Sequence, residues 1–143
     1  RCAGAGSHKG FQAFAPDDLY LALVEAEGKP GAAPRLLHFD GKAWSPADLP
    51  ATTQPLRGLS GTGDGTLWLI TEHEIWKRPR GGAWEAVPPP TRAFPEPGPV
   101  WELSQVWGAG PGEVWIVGRH SSSVARRELV LRLKAPAATI RWE

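Results

Sequence analysis

The sequence predicts an all-β fold built from three copies of one four-stranded antiparallel unit. Turn-forming residues and large flat rings dominate the composition, with 17 Gly, 15 Pro and 8 Trp in 143 residues. A strand centred on an aromatic residue recurs at intervals of 48 and 47 residues. No window has apolar residues at helical spacing without an interrupting Pro or Gly. Apolar residues make up 41% and charged residues 22%, which argues against disorder throughout the chain.

The first half of each unit reads as a short apolar strand, a turn and a second strand centred on an aromatic. Residues 56–70 and 103–117 are the clearest copies, and residues 11–23 are a weaker copy with a shortened turn. The equivalent aromatic positions are Tyr20, Trp68 and Trp115. We expect the turn glycines to adopt positive φ and to reverse the chain tightly. These are Gly61, Gly63 and Gly65 in one copy and Gly108, Gly110 and Gly112 in the other.

The second half of each unit adds two more strands. Residues 35–44 match residues 75–84, since both read as a strand, a Gly turn and an Ala-Trp pair. In the third copy, residues 128–134 and 139–143 supply the third and fourth strands. We therefore divide the chain into an N-terminal segment, 1–10, and three units, 11–50, 51–90 and 91–143, the last of which includes a Pro-rich link.

The third unit carries a motif that resembles a known repeat family. Residues 106–118 read Val-Trp-Gly-Ala-Gly-Pro-Gly-Glu-Val-Trp-Ile-Val-Gly. This segment resembles the W-G-S-G-P-x-D-V-W-x-V-G repeat of secreted bacterial β-propellers, which are abundant in myxobacteria. Residues 64–68 are also similar to the repeats of regulator-type propellers. The resemblance implies that each unit is a propeller blade and that the chain is half or part of a β-propeller. It implies no catalytic residues, because propellers host many functions.

The repeated aromatics are predicted to be scaffold. A Trp buries roughly 200 Å² at ~25 cal/mol per Å², so each contributes several kcal/mol before ordering costs. We expect Tyr20, Trp68 and Trp115 to pack between neighbouring blades, together with Trp44 and Trp84.

Functional residues are expected where the units differ. The loops between second and third strands, residues 25–34, 72–74 and 119–127, lie on one face of a propeller and differ in length and charge. The cations of the last loop suit an anionic ligand or an acidic partner. Two unrepeated tryptophans suit sugar stacking or a protein contact. The predicted binding residues are Glu72, His73, Trp76, Trp101, Arg119, His120, Arg126 and Arg127.

No metal or cofactor is predicted. Strand alternation sends Glu72, His73 and Glu74 to opposite sides, which argues against a three-ligand site, although a His73–His120 pair from adjacent blades is an open alternative. The Gly-rich segment 61–66 is not a nucleotide loop, because no helix follows it and residues 108–113 repeat it. Asp64 alone does not supply the six or more oxygens that Ca²⁺ takes.

These observations predict a non-enzymatic, extracytoplasmic binding or assembly module that recognises a protein or a glycan. A carbohydrate-binding lectin is one alternative. Another is a hydrolase or lyase at the channel mouth, for which Glu72, His73 and His120 are the candidate group. The net charge of +1 gives no support to a nucleic-acid partner, and no stretch of ~18 apolar residues predicts a membrane span.

Ring closure and the N-terminus raise two further expectations. Propellers typically have ~4–8 blades, so three blades form an open arc. We expect either homodimerisation into a six-bladed ring or a longer chain that completes it. Cys2 resembles a lipid-modified cysteine, but Arg1 before it does not fit a lipoprotein cleavage context. Lipid anchoring therefore stays open as an alternative.

Overall fold

A computed structural model of the chain describes residues 6–25, 32–88, 100–121, 126–134 and 137–142. Within these ranges all regular structure is β, which confirms the predicted fold class, and the sheets are antiparallel. The first sheet comprises β1 Ser7–Ala15, β2 Asp18–Glu25, β3 Ala33–Phe39 and β4 Trp44–Ala47. The second comprises β5 Leu56–Gly61, β6 Leu67–Thr71, β7 Ile75–Arg78 and β8 Glu85–Val87. The third comprises β9 Val100–Gly110, β10 Glu113–Ser121, β11 Arg126–Lys134 and β12 Ala137–Trp142.

Each sheet is a simple meander in which neighbours in sequence pair with each other. The turns before β6 and β10 reverse the chain at Gly65 and Gly112, whose φ values are +83° and +62°. Only these two of the six predicted turn glycines have positive φ. Gly61 and Gly108 instead lie within β5 and β9. The first strand also begins at Ser7, ahead of residue 11.

The second sheet lies between the other two, and strand alternation divides its apolar residues between two cores. Leu67 and Leu69 point toward the first sheet, where Ala22 and Leu36 are buried with them. Trp68 and Ile70 point the other way, into a core shared with the third sheet. The third sheet contributes Leu103, Val106, Val114, Ile116, Leu129, Leu131 and Leu133 to that core. The two cores hold the three sheets face to face.

The first sheet has an outward face that is also apolar. Because Tyr20 and Ala22 face inward, alternation places Leu19 and Leu21 on the outer side of β2. Their cross-strand partners on that face are Ala13 and Phe11 on β1 and Phe39 and Leu37 on β3.

The outward face of the third sheet is apolar as well. Since Val114 and Ile116 lie in the core, Trp115 and Val117 point outward, with Trp107 and Val130 opposite them. The expectation that Trp115 and Trp44 pack between sheets is therefore wrong for this chain by itself, because both lie on outward faces. Trp44 contacts Phe39 at a ring-centroid distance of 5.3 Å and is 44% exposed.

Candidate functional site

Two of the predicted binding residues link the second sheet to the third. The hairpin between β6 and β7 lies beside the start of β9, where the Leu103 amide donates to the Glu72 carbonyl at 2.8 Å. His73 Nδ1 lies 2.6 Å from the Trp101 carbonyl oxygen. A carbonyl oxygen only accepts, so Nδ1 carries the hydrogen. The hairpin is thus joined to β9 by both backbone and side chain.

His120 joins the same junction. It lies opposite Trp101 in the β9–β10 pairing, so both side chains are on the face toward the second sheet. Trp101 packs against the core between these sheets, and His120 Nε2 is buried. The structure therefore brings four of the eight predicted residues together at one sheet junction: Glu72, His73, Trp101 and His120.

Trp76 lies on the other side of the second sheet, packed against the core shared with the first sheet. Its Nε1 donates to Glu74 Oε2 at 3.1 Å. The same oxygen accepts from Thr71 Oγ1 at 3.4 Å and from Thr52 Oγ1. Glu74 therefore braces the β6–β7 hairpin against the link that follows β4. The sequence signal for this brace was the Thr71-x-x-Glu74 spacing, since the Glu74 amide also donates to Thr71 Oγ1 at 3.0 Å.

The predicted arginines do not gather at that junction as one group. Arg119 points to the opposite face from His120, and its Nη2 donates to Glu102 Oε2 at 2.7 Å. Arg126 and Arg127 are exposed at the start of β11. The middle of the predicted loop, residues 122–125, and residues 26–31 of the first loop lie outside the described residues, as do Cys2 and the link 91–99.

The first strands of the three sheets share an irregularity that the sequence interpretation missed. A register shift lies between His8 and Gly10 in β1 and between Leu56 and Gly58 in β5. The corresponding shift in β9 lies between Leu103 and Gln105. The extra residues at these equivalent β-bulges are Lys9, Arg57 and Ser104. Bulges re-aim a side chain out of the regular alternation of the strand.

A groove of about 230 Å³ lies along these bulged strands. We call it the first-strand groove; its lining residues are Lys9, Arg57, Gly58, Leu59, Gln105, Val106 and Trp107. The Arg57 guanidinium is held at its edge by Glu72, with Nη2 and Oε1 3.4 Å apart. In the sequence, the trace of this groove is that Lys9 and Arg57 each stand two residues before Phe11 and Leu59, respectively. Phe11 and Leu59 occupy equivalent positions in their sheets. The groove combines two cations, one amide and one exposed indole.

An acid–base pair lies at the other end of the first sheet. Asp18 Oδ1 is 2.9 Å from His38 Nε2, and Asp18 Oδ2 accepts from Arg80 Nη2 at 3.1 Å. Burial alone raises the pKa of Asp18, but the hydrogen bonds and charges of His38 and Arg80 outweigh it and hold that pKa below 3.8. The His38 ring stacks on Tyr20 at a centroid distance of 4.4 Å.

This pair is a feature of the repeat, because the third sheet has a counterpart. Glu113 Oε1 accepts from Arg132 Nε at 2.8 Å, and the Arg132 guanidinium lies 5.4 Å from the Trp115 ring centroid. The hydrogen bond from Arg132 holds the pKa of Glu113 below 4.5, with a smaller contribution from Lys134. Asp18–His38–Tyr20 and Glu113–Arg132–Trp115 are equivalent positions in their sheets, which indicates a structural role for Asp18 and His38.

The described ranges contain no group of three His, Cys, Asp or Glu side chains placed to hold a metal ion. Among the same residues, no helix has the length and apolar character needed to cross a membrane.

Comparison with known proteins gives a fold likeness. No protein-family model matches the chain. No curated protein sequence matches it either. The chain is similar to a crystal structure of a catalytically inactive virginiamycin B lyase from Staphylococcus aureus with quinupristin. The TM-score is 0.52 at 12% sequence identity, over 98% of this chain and 57% of the lyase chain.

A second similar structure is the selenomethionine-substituted virginiamycin B lyase from Staphylococcus aureus, with a TM-score of 0.41 and 9% identity over 89% of this chain and 62% of that one. The first likeness supports a β-propeller-like all-β fold. This chain spans 57% of the length of that lyase.

Proposed function

We propose that the chain is an arc of three β-propeller blades that acts as a non-enzymatic binding and assembly module. One observation carries this proposal. The exposed large apolar side chains of the described residues are Phe11, Trp44 and Trp107, at 50%, 44% and 47% exposure. All three belong to the outward faces of the first and third sheets, where a further blade would pack. Large exposed apolar patches mark interaction sites.

The two sheet contacts within the chain indicate how such an arc continues. In each contact, one sheet contributes the face that carries Trp68 or its equivalent, and we call this the first type of face. The next sheet contributes the face that carries Leu67 and Leu69 or their equivalents, and we call this the second type. The outward face of the third sheet, with Trp115 and Val117, is of the first type. The outward face of the first sheet, with Leu19 and Leu21, is of the second type. A second copy, or further blades of a longer chain, can therefore pack on these faces to complete a ring.

Recognition of a protein or glycan partner is proposed at the end of the sheets where His73, Trp101, His120 and Arg127 lie. Support comes from the meander topology, which collects the hairpins and links of neighbouring blades at this end. An extracytoplasmic location is part of the same proposal and draws on the repeat resemblance. The lyase activity belongs to the similar structure, and at 12% identity that likeness bears on fold alone. We therefore prefer the binding module to the hydrolase or lyase alternative.

Measuring the molar mass in solution tests whether the outward faces of the first and third sheets associate with another copy of the chain. We expect light scattering after gel filtration to give a multiple of the 15.4 kDa chain mass. Leu21→Lys and Val117→Lys place a charge on either outward face and should each lower the mass to that of a monomer. Ala83→Lys, at an exposed position in the β7–β8 hairpin, is the matched control and should leave the mass unchanged. A monomer that also fails to bind a hydrophobic dye would contradict the proposal.

Partner recognition is tested separately by glycan-array and pull-down comparisons. The intact chain is compared with a variant carrying Arg126→Ser and Arg127→Ser, both exposed at the start of β11. We expect that variant to lose a partner that the intact chain retains. Unchanged partners would remove this end of β11 from the recognition surface.

A further inference from the structure

We propose that the outward face of the third sheet is covered by the outward face of the first sheet of a second copy. This junction between copies is wider at the first strands than the two junctions within the chain. The inference rests on the proposed function and commits its assembly to one partner, a second copy of this chain. It follows from how β1, β5 and β9 meet and from the side chains at the equivalent positions of the two outward faces.

Within the chain, a glycine of one first strand lies against the next first strand at both junctions. A Cβ on Gly10 in β1 would lie 2.6 Å from the Leu59 amide nitrogen in β5. A Cβ on Gly58 in β5 would lie 3.2 Å from Val106 Cγ1 in β9. Because an added side chain would meet the next strand, glycine permits these close approaches. The pairing register places Gln105 of β9 at the position of these two glycines.

Two residues further along, a polar side chain accepts a hydrogen bond from a glycine amide of the next first strand. Gln12 Oε1 accepts from the Gly61 amide at 2.7 Å, and Ser60 Oγ accepts from the Gly108 amide at 2.9 Å. In β9 the equivalent position is Trp107, which points away from the second sheet and is 47% exposed. The outward face of the third sheet therefore carries two larger side chains where the other sheets carry glycine and a hydrogen-bond acceptor.

The outward face of the first sheet departs from the pattern in the matching way. Phe11 stands where β5 has Leu59 and β9 has Val106, and Ala13 stands where both of those strands have glycine. When the contact within the chain is repeated between copies, Phe11 of the second copy lies opposite Gln105. Its Ala13 then lies opposite the next outward residue of β9. All four positions of this junction carry larger side chains than their counterparts within the chain.

The matched enlargement favours these two faces as partners of each other. Ala13 and Gln105 bring a Cβ to positions where, within the chain, a Cβ would crowd the neighbouring strand, so the first strands stay further apart. Phe11 and Trp107, at 50% and 47% exposure in the single chain, fill the added space. Interiors and well-packed interfaces leave few voids, so a wider separation needs larger side chains.

The aromatic residues beyond the first strands agree with this pairing. Within the chain, the Arg78 guanidinium of the second sheet lies 5.3 Å from the Tyr20 ring centroid of the first. Trp115 takes the position of Tyr20, and Phe39 takes the position of Arg78, so the junction between copies places ring against ring. The contact is head to tail, and two copies of three sheets give six blades, within the ~4–8 of typical propellers.

Mixing two blocked variants tests this pairing. Leu21→Lys blocks the outward face of the first sheet and leaves the third free, whereas Val117→Lys does the reverse. In a head-to-tail contact each variant alone is a monomer, and an equimolar mixture forms a dimer through the one intact junction. Light scattering should therefore give twice the 15.4 kDa chain mass for the mixture. A variant that dimerises alone would show that like faces pair and would overturn this inference.

The same mixture tests which side chains fill the junction. Trp107→Ser, which supplies the residue of β5 at this position, should weaken the dimer about tenfold or more when the Leu21→Lys chain carries it. In the Val117→Lys chain the same substitution is the matched control, because that face is already blocked, and it should have no effect. Phe11→Leu should give the reverse pattern and serves as the second variant if Trp107→Ser fails to fold by circular dichroism. Equal losses in the two chains would contradict the junction.

A double-mutant cycle in the mixture tests the width. Gln105→Gly with Trp107→Ser in the chain whose third sheet is free, or Phe11→Leu with Ala13→Gly in its partner, should each weaken the dimer. Together they restore the side chains of β5, so the strands can approach as they do within the chain and part of the lost affinity should return. Losses that simply add would overturn the wider junction.

Two further outcomes separate this inference from the proposed function. A mixture that keeps the chain mass at its highest soluble concentration, while the wild type associates, would overturn the head-to-tail junction and leave the binding module standing. A wild-type chain that is monomeric yet binds a hydrophobic dye would also overturn the inference, because further blades of a longer chain would then cover the faces.

Discussion

Gly108 in β9 lies so close to Gly61 in β5 that a Cβ on Gly108 would overlap the Gly61 carbonyl oxygen. The Gly108 amide donates to Ser60 Oγ at 2.9 Å. Gly61 stands in the same relation to the first sheet, because its amide donates to Gln12 Oε1 at 2.7 Å. Each contact between first strands thus combines a glycine with a side-chain acceptor from the preceding sheet. Trp107 occupies the equivalent position in the third sheet, where its indole can donate a hydrogen bond but cannot accept one.

Gly108→Ala is expected to destabilise the chain by about 1–3 kcal/mol, because the added methyl group meets backbone that is fixed in two sheets. Urea denaturation measures the change in the free energy of unfolding. Gly110→Ala is the matched control in the same strand, since a Cβ there would meet no atom within 4 Å. Its effect should stay within about 0.5 kcal/mol. Equal stability of the two variants would show that the close approach of β5 and β9 is not rigid.

Repeat spacing made much of the fold predictable. The strands that contain Tyr20, Trp68 and Trp115 pair in an equivalent register with the first strand of their sheets, and this equivalence extends to the residue two positions further on. The 48- and 47-residue spacing of these aromatics therefore identified three matching sheets. What spacing cannot identify is which sheet is terminal. Trp115 has a local sequence similar to that of Trp68, but among the described residues only Trp68 of these two has a neighbouring sheet to pack on. The burial of a repeated residue depends on its place in the array as well as on its motif.

The candidate site was less predictable. Glu72, His73, Trp101 and His120 could be expected to be neighbours, because adjacent hairpins in a repeat lie side by side. The first-strand groove could not, since a β-bulge depends on the pairing between two strands and leaves little trace in either one. Lys9 and Arg57 became a pair only once their bulges were placed at equivalent positions.

Glu74→Gln is expected to cost about 1–3 kcal/mol of stability. Glu74 Oε2 accepts hydrogen bonds from Trp76, Thr71 and Thr52, and an amide cannot satisfy all three donors as a carboxylate oxygen does. Thermal and urea unfolding report the loss. Glu85→Gln is the control, because Glu85 is an exposed strand residue whose pair with Lys77 lies at 3.4 Å. It should change stability by less than about 0.5 kcal/mol, and a Glu74→Gln effect as small as this would exclude the brace.

Lowering the pH should reduce the free energy of unfolding, in part because Asp18 becomes protonated. Its pKa in the folded chain is below the ordinary 3.8, so the charged form is favoured by folding. That contribution is fully present above pH 3.8 and is lost as the pH falls through the lower folded value. The free energy of unfolding, measured in urea from pH 6 down to the acid limit of the fold, should therefore decline less steeply in Asp18→Asn. The exposed neighbour substitution Asp17→Asn should keep the steeper wild-type decline. Parallel curves for wild type and Asp18→Asn would mean that His38 and Arg80 do not hold the carboxylate.

The hydrogen bond from His73 to Trp101 should contribute to the docking of the second sheet on the third. His73 Nδ1 donates to the Trp101 carbonyl oxygen on β9 at 2.6 Å. Two residues further along β9, the Leu103 amide donates to the Glu72 carbonyl oxygen. His73→Ala removes that donor and should cost about 1 kcal/mol, with faster hydrogen exchange at the Leu103 amide. His73→Asn restores a donor near the same position and should recover part of both effects. A nitrogen-detected NMR spectrum should show a hydrogen on Nδ1 of His73. The alternative tautomer, with its only ring hydrogen on Nε2, would leave two acceptors facing each other and would rule out this hydrogen bond.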